Sequence, residues 1–359
     1  MEQTDTIYTM LDHMERPAFL VRDGRICRAN AAATRYLIEE GTEVEALLST
    51  GRQEYAEYQS GCLHLTLRIC GTTLGASVTR VEQFDMFVLD AVENGAELQA
   101  MALAARELRQ PLSNIMSVAD RLFPIAGADP DPALQDQIAR INRGLFQMLR
   151  IVGNMSDAYR YSQDASASMQ TLDIAGLLEE IFQSSAEMVA FAGVQLCYTG
   201  IPEPVYGLVD QEKLERAVCN IISNAVKFSP KGSCVKVWLR RRGNMLYLTV
   251  HDGGSGVPEQ LRGSVHHRFR REPGIEDQRQ GIGLGMVLIR AAAALHGGTV
   301  LMENMDGNRL TMTIAIRESK EQFVRGPQLL VDYAGERDHR LIELSDVLPP
   351  ELYRKENIN

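Results

Sequence analysis

Along the first ninety residues, apolar and polar positions fall into short runs broken by turn residues: PAFLV, then Asp23-Gly24, then RICRAN, and later CLHLTLRICG, TTLGASVTRV and FDMFVLD. Runs of this length, rich in β-branched and aromatic residues, predict strands of an antiparallel sheet, and the Asp-Gly pair predicts a hairpin. NAAATRYLI, from Asn30, has helix-forming composition. Residues 1–92 therefore read as a small α+β domain.

The period then changes. Leu98, Met101, Ala105, Leu108, Leu112, Ile115, Ala119 and Leu122 recur in steps of three and four, and so do Leu134, Ile138, Ile141, Leu145, Met148, Val152, Met155 and Tyr159. Gly127, Pro130 and Pro132 stand between the two series and break the helix. Residues 93–165 are thus expected to form an antiparallel two-helix hairpin, with a local kink at Pro111. One hairpin leaves much of this apolar surface uncovered. At about 1.5–3 kcal/mol per large side chain buried, pairing two hairpins gains enough to predict a homodimeric four-helix bundle.

Residues 170–317 return to mixed structure. Helical patterns cover roughly 173–192 and 211–228; then VKVWLRR and MLYLTVHD flank Arg242-Gly243-Asn244, and GTVLMENM and RLTMTIAI flank Asp306-Gly307-Asn308. Two hairpins with helices on one face of a mixed sheet follow. The extension 318–359 carries two β-rich patches, QLLVDY and RLIELSDVL, and then Pro349-Pro350.

Composition narrows the function classes. With 359 residues, 45% apolar and 23% charged, the chain reads as an ordinary multidomain globular protein. Lys and Arg total 37 against 47 acidic residues, a formal charge of −10, which argues against general affinity for nucleic acid or anionic membrane. Six scattered cysteines offer neither a CxxC pair nor a zinc spacing. The first 25 residues hold Asp5, Asp12, Glu15 and Asp23, unlike a secretory signal, and no window approaches 18 uncharged apolar residues. A cytoplasmic location is expected.

The candidate chemistry lies in 170–317. Asn220, Asn224 and Lys227 recur at i, i+4 and i+7 of one helix, presenting two amides and an ammonium in one direction, where carbonyl oxygens suit magnesium and the cation suits phosphate. Asp252 ends the apolar strand LYLTV and opens DGGSGVP, whose Gly254 and Gly256 allow close backbone approach; a fixed carboxylate there can accept a hydrogen bond from an exocyclic amine. Gly281, Gly283, Leu284 and Gly285 open a helix running through VLIRAAAAL, a phosphate cradle in the general sense. It is not a dinucleotide fingerprint, since Met286 stands where the last glycine of that pattern is needed.

In this order the segments closely resemble the nucleotide-binding domain of sensor histidine kinases, a fold shared with gyrase-type and heat-shock-type ATPases: NIISNAVKF the asparagine box, DGGSGVP a glycine box, HHRFRRE around Phe269 the phenylalanine box, GIGLGMVLI a second glycine box. The resemblance implies an α+β multidomain chain: a PAS-like sensor (1–92), a dimerisation hairpin (93–165), an α/β-sandwich ATP-binding domain (170–317) and an extension of unassigned role (318–359). It implies ATP and Mg2+ as cofactors. Asp252 would read adenine, Asn224 with Asn220 would hold magnesium, and Lys227 would contact phosphate. Gly281, Gly283 and Gly285 would free amides for the phosphates, and 258–280 would be a lid carrying Arg268 and Arg271. Asn220 stands where related hydrolases carry a glutamate base, so fast hydrolysis is not expected.

Upstream the resemblance breaks. The family's first bundle helix carries a His-Glu-Leu-Arg-Thr-Pro-Leu motif whose histidine accepts the γ-phosphoryl group; here Arg106, Glu107, Leu108, Arg109, Gln110, Pro111 and Leu112 match it. A guanidinium stays protonated to above about pH 12 and offers no lone pair, so Arg106 cannot replace imidazole. No histidine occurs between His64 and His251, and Glu107, which would assist the histidine, is left as a surface carboxylate. The leading expectation is an ATP-binding two-component signalling protein degenerate in autophosphorylation, a pseudokinase. A second reading keeps it active on a histidine of a partner protein, with a response regulator or histidine-bearing protein as partner. A third, a protein serine kinase of the anti-sigma-factor type, is opposed by the hairpin and the PAS-like segment.

Overall fold

The computed structural model describes residues 2–90, 95–122, 132–162, 168–254, 284–305, 307–317 and 338–358. A helix that strand reading of the first ninety residues did not anticipate, α1 (Glu2–Asp12), precedes the first hairpin. Asp23 and Gly24, both at positive φ, turn β1 (Ala18–Arg22) into β2 (Arg25–Ala29). The buried Asn30 then caps α2 (Ala31–Thr34): its Oδ1 accepts the Ala33 and Ala18 amides at 2.9 and 3.1 Å, and its Nδ2 donates to Arg16 O at 2.7 Å. One asparagine thus fixes where the chain leaves β1 and where the helix starts. Short helices α3 (Val44–Leu47) and α4 (Arg52–Glu57) lead to β3 (Cys62–Ile69), β4 (Thr72–Val81) and β5 (Phe84–Leu89). Phe19 stacks on Phe87, centroids 4.9 Å apart, in a core with Leu63, Leu65 and Leu67.

Helices α5 (Gly95–Leu122) and α6 (Pro132–Ser162) lie against each other, and α5 is assigned as one helix through Pro111. Ala105, Leu112, Met116 and Ala119 of α5 and Leu145, Phe146 and Val152 of α6 are buried. Leu98 is buried too, but Leu108, Ile115, Leu134, Ile141 and Met148 of the seam are exposed, with Leu103, Val118 and Ile151 beside them.

The remainder runs β6 (Met169–Asp173), α7 (Ile174–Ala190), β7 (Gln195–Thr199), β8 (Tyr206–Asp210), α8 (Gln211–Phe228), β9 (Cys234–Arg242), β10 (Met245–Asp252), α9 (Leu284–Leu295), β11 (Val300–Met305) and β12 (Gly307–Ala315). Alternation decides the buried face: Val235, Val237 and Leu239 of β9, Leu246, Leu248 and Val250 of β10, and Met312 and Ile314 of β12 share one core with Leu214, Val218, Ile221 and Ile222 of α8. Asn308, expected in a turn, is instead in β12 and pairs with Asp252 across the ladder.

One ten-stranded sheet crosses the chain, in the order β2-β1-β5-β4-β3-β11-β12-β10-β9-β7, while β6 and β8 pair separately. The joint is β3 against β11, with Val300 opposite His64 and Met302 opposite Cys62. Gly61 permits it: its φ is +92°, and a Cβ there would lie 2.2 Å from Met302 O. Arg242 with Glu57 (2.6 Å) and Tyr247 with Glu54 (3.4 Å) add side-chain contacts across the same boundary.

The C-terminal segment corrects one expectation. RLIELSDVL is not a strand: α10 (His339–Glu343) is capped by Asp338, whose Oδ1 accepts the Arg340 amide at 2.9 Å, and turns follow. Leu341, Ile342, Leu344 and Leu348 are buried because the segment docks on α6 and α8. A 3₁₀ turn (Pro350–Tyr353) and α11 (Lys355–Ile358) complete it. QLLVDY lies outside the described residues. No helix among the described residues is long and apolar enough to cross a membrane.

Candidate functional site

Helix α8 is fixed at both ends. Asp210 caps its start by accepting the Lys213 amide (3.1 Å), and its apolar face is sealed against the sheet. That orientation leaves Asn220 fully buried and Asn224 and Lys227 half-buried, one above the other along the helix. Helix α9 begins at the buried Leu284, and its second residue brings it against Asn220: a Cβ on Gly285 would stand 3.0 Å from Asn220 Oδ1. Strand β10 ends on Asp252. Its Oδ1 accepts the Gly254 amide at 2.8 Å and Asn308 Nδ2 at 3.1 Å. A Cβ on Gly254 would meet Phe228 O at 2.9 Å, so the C-terminal end of α8 abuts the turn after Asp252.

The fold therefore gathers Asn220 with Gly285, and Asp252 and Gly254 with the end of α8. Burial pushes the Asp252 carboxyl above the ordinary aspartate range, and the hydrogen bonds from Gly254 and Asn308 and the proximity of His251 pull it back only in part. This donor set fits a magnesium nucleotide: a partly desolvated carboxylate, amide oxygens suited to a hard cation, an ammonium, and a helix start made approachable by a glycine that a Cβ would crowd.

Arg106 and Glu107 are both exposed on α5. Gly256, Arg268, Phe269, Arg271, Gly281 and Gly283, with the 258–280 lid and His266 and His267, lie outside the described residues. Two participants escaped sequence reasoning. Asn308, read as a turn residue, holds the Asp252 carboxylate. Arg150 of α6, off the apolar seam and without a motif, donates from Nη2 to Asn220 Oδ1 at 3.1 Å. Only the packing of α6 onto the domain reveals it.

Known proteins resemble this chain in sequence. Residues 209–320 match the family described as Histidine kinase-, DNA gyrase B-, and HSP90-like ATPase. The chain is 31% identical over 232 residues to the signal transduction histidine-protein kinase/phosphatase MprB of Mycolicibacterium vanbaalenii, covering 62% of this chain and 46% of that protein. It is 26% identical over 226 residues to the sensor histidine kinase WalK of Bacillus subtilis (62% and 37%), and 29% identical over 236 residues to the hybrid signal transduction histidine kinase D of Dictyostelium discoideum (63% and 15%). It spans less than half the length of each of these relatives. Among solved structures, full-length ShkA in complex with AMPPNP aligns with a TM-score of 0.48 at 19% identity, over 62% of this chain and 46% of that one. Residues 209–320 thus carry an ATPase domain of the histidine kinase and gyrase type. The chain is similar to histidine kinases over 62–63% of its length.

Proposed function

We propose that this protein is a two-component signalling protein that binds MgATP between α8, β10 and α9 and does not phosphorylate itself. The observation that carries the reading is a pair of contacts along α8, Asp252 and Gly254 against its C-terminal end and Gly285 at the start of α9 against Asn220. Asp252 would take the adenine amine, Asn220 and Asn224 the magnesium, and Lys227 with the first amides of α9 the phosphates. The bound nucleotide would supply a γ-phosphoryl group. On this chain Arg106, a permanent cation, stands where the family's acceptor histidine stands.

The strand order β2-β1-β5-β4-β3, with three short helices between β2 and β3, supports a PAS-like sensor in residues 1–92. The exposed stripe of Leu108, Ile115, Ile141 and Met148 supports a homodimer through α5 and α6. A response regulator or a histidine-bearing protein is the proposed partner, and the cytoplasm the proposed location. A second reading, a kinase acting on a partner's histidine, is favoured by one observation: the described nucleotide residues keep their contacts along α8 while the acceptor position, an arginine, is exposed on α5.

The test is calorimetric titration with MgATP. Asp252→Asn keeps the shape and removes the charge, so affinity should fall more than about tenfold, or 1.4 kcal/mol. Because burial raises the Asp252 pKa, wild-type affinity should also begin to fall on acidification at a higher pH than an exposed aspartate would dictate. Equal affinity of the two proteins at neutral pH contradicts the assignment.

A further inference from the structure

We propose that the C-terminal segment 338–358 holds the nucleotide site closed, by keeping the Arg150 guanidinium on the Asn220 amide oxygen that a magnesium ion would need. The proposal rests on the nucleotide-site reading above and adds its regulation. Arg150 is buried, and its three nitrogens divide between two elements: Nη2 donates to Asn220 Oδ1 at 3.1 Å, Nη1 is ion-paired with Asp346, and Nε lies 3.8 Å from Glu343 Oε2. Asn220 is engaged on both sides, since its Nδ2 donates to Arg216 O at 2.8 Å. Glu343 binds the whole arrangement: Oε1 accepts Arg216 Nε at 3.1 Å and lies 3.6 Å from His339 Nε2.

The segment is also anchored by contacts that do not use these charges. Tyr353 is fully buried, with its ring 5.2 Å from that of Phe146, its hydroxyl donating to Leu341 O at 2.7 Å and its carbonyl accepting Asn142 Nδ2 at 3.0 Å. Arg143 donates to the carbonyls of Ser345 and Asp346 at 3.2 and 3.1 Å. The anchor holds the segment on α6, and the acidic pair Glu343 and Asp346 fixes Arg150 over α8. A guanidinium and a magnesium ion are like charges competing for one carbonyl oxygen, so both cannot occupy it. The bolt is also poised to open. His339 Nδ1 is buried with no hydrogen-bond partner, and the 3.8 Å between Arg150 Nε and Glu343 Oε2 is too long for a hydrogen bond, so the folded network is incompletely satisfied.

Competition is reciprocal: whatever factor docking of 338–358 takes from nucleotide affinity, the nucleotide takes from docking. Two readouts on the full chain test this. Amide hydrogen exchange of 338–358 should rise at least tenfold at saturating MgATP, and Asp346→Asn, a substitution at a partly exposed residue, should bind MgATP at least tenfold more tightly than wild type. Arg150→Met, which keeps the bulk of the side chain, should do the same. A wild-type protein that binds MgATP while exchange of 338–358 is unchanged overturns the proposal and leaves the nucleotide site standing. Absence of MgATP binding by wild type and by folded Arg150→Met overturns the nucleotide-site reading, and the bolt with it.

Discussion

Helices α8 and α5 carry the proposed nucleotide residues and the position of the missing acceptor, and they differ in what their positions cost to change. On α8, Asn220 is fully buried and bonded to Arg150 and to Arg216 O, so packing alone is enough to hold it in place. Asn224 and Lys227 on the same helix are only half-buried, so packing holds them less firmly than Asn220. On α5, Arg106 is exposed, where a substitution typically moves stability by no more than about 0.5 kcal/mol. A residue at such a position can be exchanged without disturbing the fold, while Asn220 cannot be exchanged so quietly.

That contrast can be strained at several points. The largest effect is expected at Glu343, buried among Arg216, His339 and Arg150. Burial alone would raise its pKa, but those cations together hold it below the ordinary glutamate range. A lowered carboxyl pKa contributes stability above the unfolded value and loses it as pH falls through the folded one. Glu343→Ala takes one of two carboxylate partners from each of two buried guanidiniums, leaving Arg216 with Asp157 and Arg150 with Asp346, and should cost about 3 kcal/mol in a denaturant titration at pH 7; Arg106→Ala, measured alongside, should cost almost nothing.

Next comes Glu215, the neighbour of Arg216 on α8, whose carboxyl is pushed up to about 7 by burial, with Arg340 opposing and Asp338, Glu180 and Glu343 adding to the rise. The sign is opposite: the unfolded chain ionises first, so stability falls as pH rises through the interval up to 7. Glu215→Gln should be more stable than wild type at pH 8 by roughly 2–3 kcal/mol and equal to it at pH 4, where both are neutral. A destabilised Gln variant at pH 8 would show that the charge has a partner there.

The smallest effect separates function from packing on α8 itself. Asn224→Ala should weaken MgATP about tenfold, leave metal-free ADP binding alone, and shift unfolding by no more than about 0.5 kcal/mol. Loss of stability without loss of affinity would make Asn224 a packing residue.

Much of this was legible in the sequence because its signals are periodic or local. The hairpins around Gly24 and Gly243, the seams of α5 and α6, and the run Asn220, Asn224, Lys227 each follow from spacing. The joint between β3 and β11 was not legible, since strand pairing uses backbone groups every residue carries and leaves no side-chain pattern. The 338–358 segment was misread because Leu341, Ile342 and Leu344 suit a strand as well as a helix until the Asp338 cap and the surface of α6 decide between them. Arg150 was invisible for a related reason: its role depends on where α6 lands, 70 residues before its partner in the chain.

The central claim, that a working nucleotide site sits beside a missing acceptor, is tested most directly by incubating wild type and Arg106→His with ATP labelled at the γ-phosphate and magnesium, then treating the protein with acid. The account predicts acid-labile label on Arg106→His and none on wild type. Label on wild type itself, or none on a folded Arg106→His that binds MgATP, would contradict it.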